Sequence, residues 1–166
     1  MRDESAAPRA GTLYGVGLGP GDPELMTLKA HRLIAGASVI AYPAPDTGES
    51  FARAIASAII PHGAREIPIV VPMRVERFPA QAVYDRAAGE IAAELDAGQD
   101  VVVLCEGDPF FYGSFMYLFE RLSERYEIEI VPGVSSVMTA AAMAARPPAA
   151  RNDVLTIIPG PVEEAE

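Results

Sequence analysis

The residues of this sequence best suited to bind a ligand lie in three short segments that are rich in glycine and polar side chains: 17–22, 106–112 and 132–136. In the second segment, Gly107 lets a ligand approach the backbone closely, Asp108 offers a hydrogen-bond acceptor, and Pro109 makes the turn rigid. The same pattern is also typical of an ordinary strand-to-helix turn in which Asp108 caps the helix. This segment alone therefore leaves both interpretations open.

Each of the three segments follows a strand pattern and precedes a helix pattern. The clearest strand is 101–105, which is wholly apolar, as in a buried strand of a parallel sheet. Alternating strands and helices connect through right-handed crossovers, so the sequence predicts an α/β fold with a mainly parallel sheet and helices on both faces. The three segments should then meet at the carboxyl edge of the sheet, where such folds bind ligands. Further strands are expected at residues 12–17, 38–42, 66–71 and 127–131.

Capping residues indicate where the helices begin. Asp22 followed by Pro23 starts one helix, and Ser50 starts another, with Phe51 on its apolar face. Pro68 interrupts the third strand, which predicts that this strand lies near an edge of the sheet. Helices are expected at residues 23–36, 50–60, 79–97, 113–125 and 137–145.

The chain has 166 residues, half of them hydrophobic, which is enough for one α/β domain with a substantial core. We expect this domain at residues 11–145. Residues 1–10 lack an apolar stretch and are expected to form a disordered tail. Paired prolines within residues 146–152 indicate a linker, and a strand pattern at 154–158 follows. This order predicts that residues 153–166 begin a second α/β domain that is cut short.

Composition limits the classes of partner. The net charge is −10, which argues against nucleic acids and anionic membranes. No apolar run reaches the roughly 20 residues that a membrane helix requires. The single cysteine, Cys105, lies in the apolar strand and is expected to be a buried free thiol, as in a reducing compartment. The sequence therefore predicts a soluble, cytoplasmic protein without nucleic-acid or membrane partners.

Several common site types lack their residues. The first segment departs from the dinucleotide pattern G-x-G-x-x-G, because Pro20 or Asp22 stands where the last glycine is needed. No Gly-Lys-Ser or Gly-Lys-Thr indicates a phosphate-binding loop. His31 and His62 are expected at the surface without a paired nucleophile, and no metal-ligand spacing is visible. Any chemistry here must therefore need little acid, base or metal.

The sequences GVGLGPGDPELMT (15–27), EGDPFFYGS (106–114) and PGVSS (132–136) carry a resemblance. In order and spacing they resemble the tetrapyrrole (corrin/porphyrin) methylase family, and the resemblance covers about residues 11–161. Residues 41–45, 113–122 and 150–155 are most similar to the precorrin-2 C20-methyltransferases of cobalamin synthesis. The resemblance implies the N-terminal domain of the methylase fold, with the second α/β domain truncated.

The resemblance also implies S-adenosylmethionine as methyl donor and S-adenosylhomocysteine as product. Transfer to a ring carbon is an in-line displacement, in which alignment and exclusion of water supply most of the rate. It needs no covalent enzyme intermediate, and no catalytic residue is identified. The residues that correspond to the family's cofactor contacts are Pro20, Glu106, Gly107, Asp108, Phe111, Ser135 and Ser136.

The implied substrate is a reduced tetrapyrrole, precorrin-2, methylated at C20. Its carboxylates require basic residues on this acidic protein, and Arg74 and Arg77, in the loop after the third strand, are the candidates. The same arginines are also consistent with solvated side chains beside Glu76. The family further implies a homodimer.

Two features depart from the family pattern. Uroporphyrinogen methylases carry an acidic residue after the tyrosine of the second strand, whereas here Pro43 follows Tyr42. The family's second domain closes the cofactor cleft, and this chain reaches only the expected first strand of it. Two alternatives remain open: another ring-carbon methylase, acting on uroporphyrinogen-III or a later precorrin, and an inactive truncated domain that binds the cofactor or a partner.

Overall fold

The structure is a computed structural model that describes residues 9–71 and 79–158. Within these two ranges, five strands form one sheet in the order β3-β2-β4-β1-β5, and the pairings between them are parallel. β4 therefore occupies the middle of the sheet. The strands are β1 (Leu13–Gly17), β2 (Val39–Pro45), β3 (Arg65–Val71), β4 (Val101–Cys105) and β5 (Ile128–Val131).

The described residues contain five α-helices and one short 3₁₀ turn, Pro23–Leu25, which connect and follow the strands. Within residues 9–71 and 79–158, none of the helices combines the length and the apolar character needed to cross a lipid bilayer. The helices are α1 (Leu28–Ala35), α2 (Phe51–Ala56), α3 (Pro79–Asp96), α4 (Phe115–Leu122) and α5 (Ser136–Met143).

Two hydrophobic clusters cover the two faces of the sheet. Side chains of α1 and α2 pack with Val102 and Leu104 of β4 on one face, and side chains of α3 and α4 pack with Val101 and Val103 on the other. Because successive residues of a strand point to opposite faces, the side chains on both faces of β4 are buried. The predicted parallel sheet with helices on both faces is confirmed.

The order in which the chain forms its strands creates a crevice at the carboxyl edge of the sheet. From β1 the chain moves through β2 to the β3 edge, and then returns through β4 to β5 at the opposite edge. Right-handed crossovers therefore place α1 and α2 on one face and α3 and α4 on the other. The loops after the neighbouring strands β1 and β4 leave toward opposite faces, which is the arrangement that opens a ligand crevice in such sheets.

The predicted helix at 23–36 is instead two elements. Asp22 Oδ1 accepts a hydrogen bond from Glu24 N at 2.9 Å and caps only the 3₁₀ turn. Thr27 Oγ1 accepts from Ala30 N at 3.1 Å and caps α1. Two capping residues five positions apart thus divide the segment, and the prediction of one continuous helix was wrong.

Two further predictions, the place of β3 in the sheet and a strand at 154–158, differ in outcome. β3 lies at a sheet edge, as Pro68 predicted. The strand expected at 154–158 is not formed: these residues have no regular secondary structure and are exposed. The described helices and strands all lie within residues 11–145, while the linker and second-domain assignments stay predictions.

Candidate functional site

The loops after β1 and β4 are joined by backbone hydrogen bonds. Gly107 N donates to Gly19 O at 2.8 Å, and Gly19 N donates to Gly107 O at 3.2 Å. Leu18 N also donates to Cys105 O at 2.9 Å, which continues the β1–β4 pairing beyond the strand ends. Two of the three predicted ligand segments therefore form one backbone unit.

Asp108 joins the third segment to this unit. Its Oδ2 accepts from Gly133 N in the loop after β5, and its Oδ1 accepts from Phe110 N, both at 2.9 Å. The interpretation of Asp108 as a helix cap is wrong, since α4 begins at Phe115 with Ser114 at its N-cap. The carboxylate instead holds two backbone amides and fixes the relative position of the loops.

Three glycines meet where the loops converge. A Cβ added to Gly133 would lie 1.9 Å from Gly107 O, and one added to Gly17 would lie 2.6 Å from Gly133 N. Real Cβ atoms do not approach so closely, so backbone occupies the space that side chains would fill. Gly107 itself has a φ of 63°, a conformation that glycine adopts without strain.

An open cleft of about 230 Å³ lies over this junction. All seven residues predicted from the resemblance to contact the cofactor line it, although they come from three separate segments. That these residues bind a cofactor stays a prediction, but the structure brings all of them to one place. The lining residues are Gly19, Pro20, Phe51, Glu106, Gly107, Asp108, Phe111, Ser135 and Ser136.

Convergence of loops, rather than size, distinguishes this cleft. A shallow apolar hollow of about 380 Å³ lies along α5, and a cavity of about 410 Å³ with both polar and apolar lining lies beside β2. Neither is lined by residues of the three predicted ligand segments 17–22, 106–112 and 132–136. The cleft at the carboxyl edge is therefore the candidate site.

The charge of the cleft is negative. Glu106 and Asp108 line it, and no lysine or arginine is among its described lining residues. Glu106 is exposed, and Asp108 is half-buried. Carboxylates at the mouth of a cleft attract cations and repel anions. The described part of the site suits a cationic ligand better than a polycarboxylate.

Cys105, next to the cleft, is buried and free, as predicted. Burial raises the pKa of its thiol, and the nearby charges of Asp108 and Glu106 raise it further. The thiol therefore stays protonated at neutral pH. A protonated, buried thiol is a poor nucleophile, so Cys105 is a core residue rather than a reactive one.

One lining residue, Phe51, lies outside the three predicted ligand segments, while Gly19 lies within segment 17–22 but was not among the seven predicted cofactor contacts. Phe51 was expected on the apolar face of its helix because Ile55 follows four residues later. The residues that α2 buries are Ala52, Ile55 and Ala56, while Phe51 is 55% exposed. A residue in the first turn of a helix need not lie on the helix's buried face. The capping residue Ser50, which marks Phe51 as the first residue of α2, is therefore the only sequence signal for the exposure of Phe51.

The remaining candidates are not part of the cleft as described. Arg74 and Arg77 lie outside the described residues, so their role stays a prediction. His31 and His62 are exposed, as expected. In the described parts of the chain, no group of three or more His, Cys, Asp and Glu side chains is arranged to hold a metal ion.

Curated relatives match nearly the whole chain. It is 45% identical over 164 residues to the cobalamin biosynthesis protein CobIJ of Mycobacterium tuberculosis, covering 94% of this chain and 32% of that protein. It is 38% identical over 164 residues to the precorrin-2 C(20)-methyltransferase of a Sinorhizobium species, covering 94% of this chain and 67% of that protein. The chain thus spans about a third of the length of the first relative and two thirds of the second.

A solved structure is similar to the chain in both fold and sequence. It is the uroporphyrin-III C-methyl transferase of Thermus thermophilus in complex with S-adenosyl homocysteine. The identity is 28%, the TM-score is 0.58, and the match covers 86% of this chain and 51% of that one. The sequence also matches the family described as Tetrapyrrole (Corrin/Porphyrin) Methylases over residues 12–166. The chain belongs to the tetrapyrrole methylase family.

Proposed function

We propose that the cleft at the carboxyl edge of the sheet binds S-adenosylmethionine, and that the chain takes part in methyl transfer to a reduced tetrapyrrole, most specifically to C20 of precorrin-2. The observation that carries the proposal is the single cleft lined by Pro20, Glu106–Asp108, Phe111 and Ser135–Ser136. Residues from three distant segments share one cavity, so a common ligand explains their arrangement better than three independent turns do.

The donor suits the chemistry of the lining. S-adenosylmethionine carries an ammonium, a sulfonium and one carboxylate, so it is positive as a whole, and the cleft offers the carboxylates of Glu106 and Asp108 with no described basic residue in its lining. A Cβ at Gly107 would meet nothing within 4 Å, so the absence of a side chain there lets a ligand approach the backbone closely. The volume of about 230 Å³ lies below the roughly 300–1,000 Å³ of typical small-molecule sites. Part of the donor therefore remains open to contacts from other residues.

The donor supplies an electrophilic methyl group, and the chain's own residues hold and align it. Asp108 keeps the loops after β4 and β5 in register through Gly133 N and Phe110 N. A rigid backbone cradle of this kind lowers the entropic cost of an in-line displacement. The transfer breaks the sulfur–methyl bond and forms a bond to the ring carbon, which loses a proton as S-adenosylhomocysteine is released, and its rate depends mainly on alignment and exclusion of water.

Identity to the Sinorhizobium precorrin-2 C(20)-methyltransferase, at 38% over two thirds of that protein, supports the substrate assignment. An acidic cleft does not itself suit a polycarboxylate, so basic residues elsewhere must bind the substrate's acid groups. Arg74 and Arg77 are proposed for this role. A homodimer, as the family resemblance implies, remains part of the proposal.

Uroporphyrinogen-III is the second candidate substrate. The observation that favours it is the 28% identity to the Thermus thermophilus uroporphyrin-III C-methyl transferase. The sequence favours it less than precorrin-2, because Pro43 occupies the position after Tyr42 at which uroporphyrinogen methylases carry an acidic residue.

Donor binding is tested by calorimetric titration of S-adenosylhomocysteine into the 166-residue chain, with NAD as a control ligand. Ser135→Ala is a suitable variant, because Ser135 lines the cleft while its side chain makes no capping hydrogen bond to α5. Loss of one hydrogen bond should weaken binding by about 2- to 10-fold. Ser123→Ala, at the exposed end of α4, is the matched control and should bind as the unaltered chain does. Absence of binding to the unaltered chain, or equal binding of NAD, would refute the donor assignment.

The substrate is tested by supplying S-adenosylmethionine with a carbon-13 methyl group and locating the label by NMR. Label at C20 of precorrin-2 is the expected result. Label on uroporphyrinogen-III instead would favour the second candidate. Donor binding without transfer to either tetrapyrrole would favour the remaining alternative, a truncated domain that binds the cofactor but is inactive.

A further inference from the structure

Phe51 occupies a position that the packing of its own helix does not explain. It is the first residue of α2 and is 55% exposed, whereas Ala52, Ile55 and Ala56 form the buried side of the helix. Single exposed apolar side chains are common on protein surfaces, but Phe51 also lines the candidate cleft, where a bound ligand would cover its ring and remove apolar surface from water.

The backbone around Phe51 is firmly held. Ser50 is buried, its Oγ donates to Pro43 O at 2.5 Å, and the same oxygen accepts from Arg53 N at 3.1 Å. These bonds tie the start of α2 to the end of β2. The Phe51 side chain thus projects from a fixed point rather than from a loose loop.

The ring lies against the glycine loop that follows β1. A Cβ added to Gly21 would lie 3.2 Å from Phe51 Cζ. Pro20, the neighbour of Gly21, lines the same cleft as Phe51. Among the described residues, the Phe51 ring forms no ring–ring pair with another aromatic side chain. Its remaining surface is therefore available to a ligand.

The lining combines two chemistries. Glu106, Asp108, Ser135 and Ser136 provide charged and hydroxyl groups, while Pro20, Phe51 and Phe111 provide apolar surface. A ligand that carries a cationic group at one end and a flat unsaturated ring at the other matches this combination. The methyl donor has that form, because its amino-acid and sulfonium part is charged and its adenine is planar.

We propose that Phe51 is a donor-binding residue whose ring contacts the adenine of S-adenosylmethionine and fixes the orientation of the donor in the cleft. The inference rests on the proposed function and extends it to a residue outside the three matched segments. Nucleobases stack on aromatic side chains. Removing such a side chain typically weakens binding by roughly 5- to 150-fold.

The test is calorimetric titration of S-adenosylhomocysteine and of adenosine into the unaltered chain and the variants Phe51→Ala, Phe51→Leu and Phe51→Tyr. We expect Phe51→Ala to weaken both ligands by the same factor, within roughly 5- to 150-fold. Phe51→Leu should lose part of that affinity and Phe51→Tyr little. Leu28→Ala, which removes an 89% exposed apolar side chain from α1, is the matched control and should leave both affinities unchanged.

The outcomes separate this inference from the proposed function. If the unaltered chain binds S-adenosylhomocysteine and Phe51→Ala binds it equally well, the role of Phe51 is refuted while the donor site stands. If affinity falls for S-adenosylhomocysteine but not for adenosine, the contact with adenine is refuted. If the unaltered chain binds neither ligand, both proposals fail. Thermal unfolding of each variant checks the fold, and Phe51→Leu keeps the test valid if the alanine variant is unstable.

Discussion

Gly133 is the residue at which the candidate site is most tightly constrained. Its amide donates to Asp108 Oδ2, and its Cα stands against the carbonyl of Gly107. The loops after β4 and β5 can therefore meet only if this position carries no side chain. Both the geometry of the site and the stability of the fold depend on this close contact between Gly133 and Gly107.

Gly133→Ala should destabilise the chain by at least about 2 kcal/mol, because its Cβ would lie 1.9 Å from Gly107 O and the backbone must move. Gly89→Ala is the matched control, since Gly89 lies in α3 and a Cβ there would meet nothing within 4 Å. Replacing a helical glycine should stabilise the chain by about 0.5–1 kcal/mol. Urea unfolding measures both changes, and equal stabilities for the two variants would contradict the described loop contact.

Asp108 shows how far sequence reasoning reaches at this scale. Its place after an apolar strand and a glycine left a ligand contact and a helix cap equally open, and only the family resemblance assigned it to the cofactor contacts; it does line the cleft. The partner of its carboxylate could not be predicted, because Gly133 lies 25 residues further along the chain and no local pattern links the two. Phe51 was misassigned because it stands in the first turn of α2, whose buried side is formed by other residues, as the helical spacing alone did not show.

The short helix α2 depends on contacts with the strands beneath it. Arg53 Nε and Nη2 donate to the two carboxylate oxygens of Glu66 in β3, at 2.6 and 2.9 Å. Paired donors of this kind form the stronger class of ion pair. Burial and the neighbouring Glu66 raise the pKa of Tyr42, the residue of β2 beside this pair. The pair therefore links α2 to the edge strand.

Glu66→Gln should lower stability at about pH 7 by less than about 1 kcal/mol, because both side chains are partly exposed and screened by solvent. Hydrogen bonding to Arg53 lowers the pKa of Glu66 below its ordinary value of 4.5. The contribution is thus fully present above about pH 4.5 and is lost as the pH falls through the folded-state pKa. Thermal unfolding of both proteins from about pH 7 to about pH 3 should show the stability difference shrinking.

The control for this titration is Glu127→Gln, which breaks the more exposed pair between Arg9 and Glu127. It should change stability less at every pH. A difference between the unaltered chain and Glu66→Gln that stays constant down to about pH 3 would contradict the described Arg53–Glu66 contact.

Element types followed from periodicity, while several boundaries depended on neighbouring strands. β2 was predicted to end at Tyr42 but continues to Pro45, because Ala44 and Pro45 pair with Val70 and Val71 of β3. α2 was expected to reach residue 60 and ends at Ala56. Strand pairing across the sheet has no local signature, whereas capping residues such as Ser50 and Asp22 do.

At the scale of the whole molecule, strand order determines the position of the site. β1 pairs with β4 and β5, although most of the chain separates them in sequence. The prediction that three loops share one sheet edge follows from parallel strands alone, but their direct contact requires this order. The molecule also carries 23 acidic and 13 basic residues, so the field around the cleft is negative as a whole.

This negative field predicts that added salt weakens binding more for a ligand of greater positive charge. S-adenosylmethionine, with its sulfonium, should bind several-fold more weakly when salt rises from about 0.01 M to about 0.1 M, because the screening length falls from about 30 Å to about 10 Å. S-adenosylhomocysteine, which lacks the sulfonium charge, should change less, and neutral adenosine should hardly change. Titration calorimetry at both salt concentrations measures the three affinities. Glu106→Gln removes a carboxylate from the cleft and should reduce the salt dependence of S-adenosylmethionine alone. Equal salt dependence for all three ligands would show that shape, and not charge, selects the ligand.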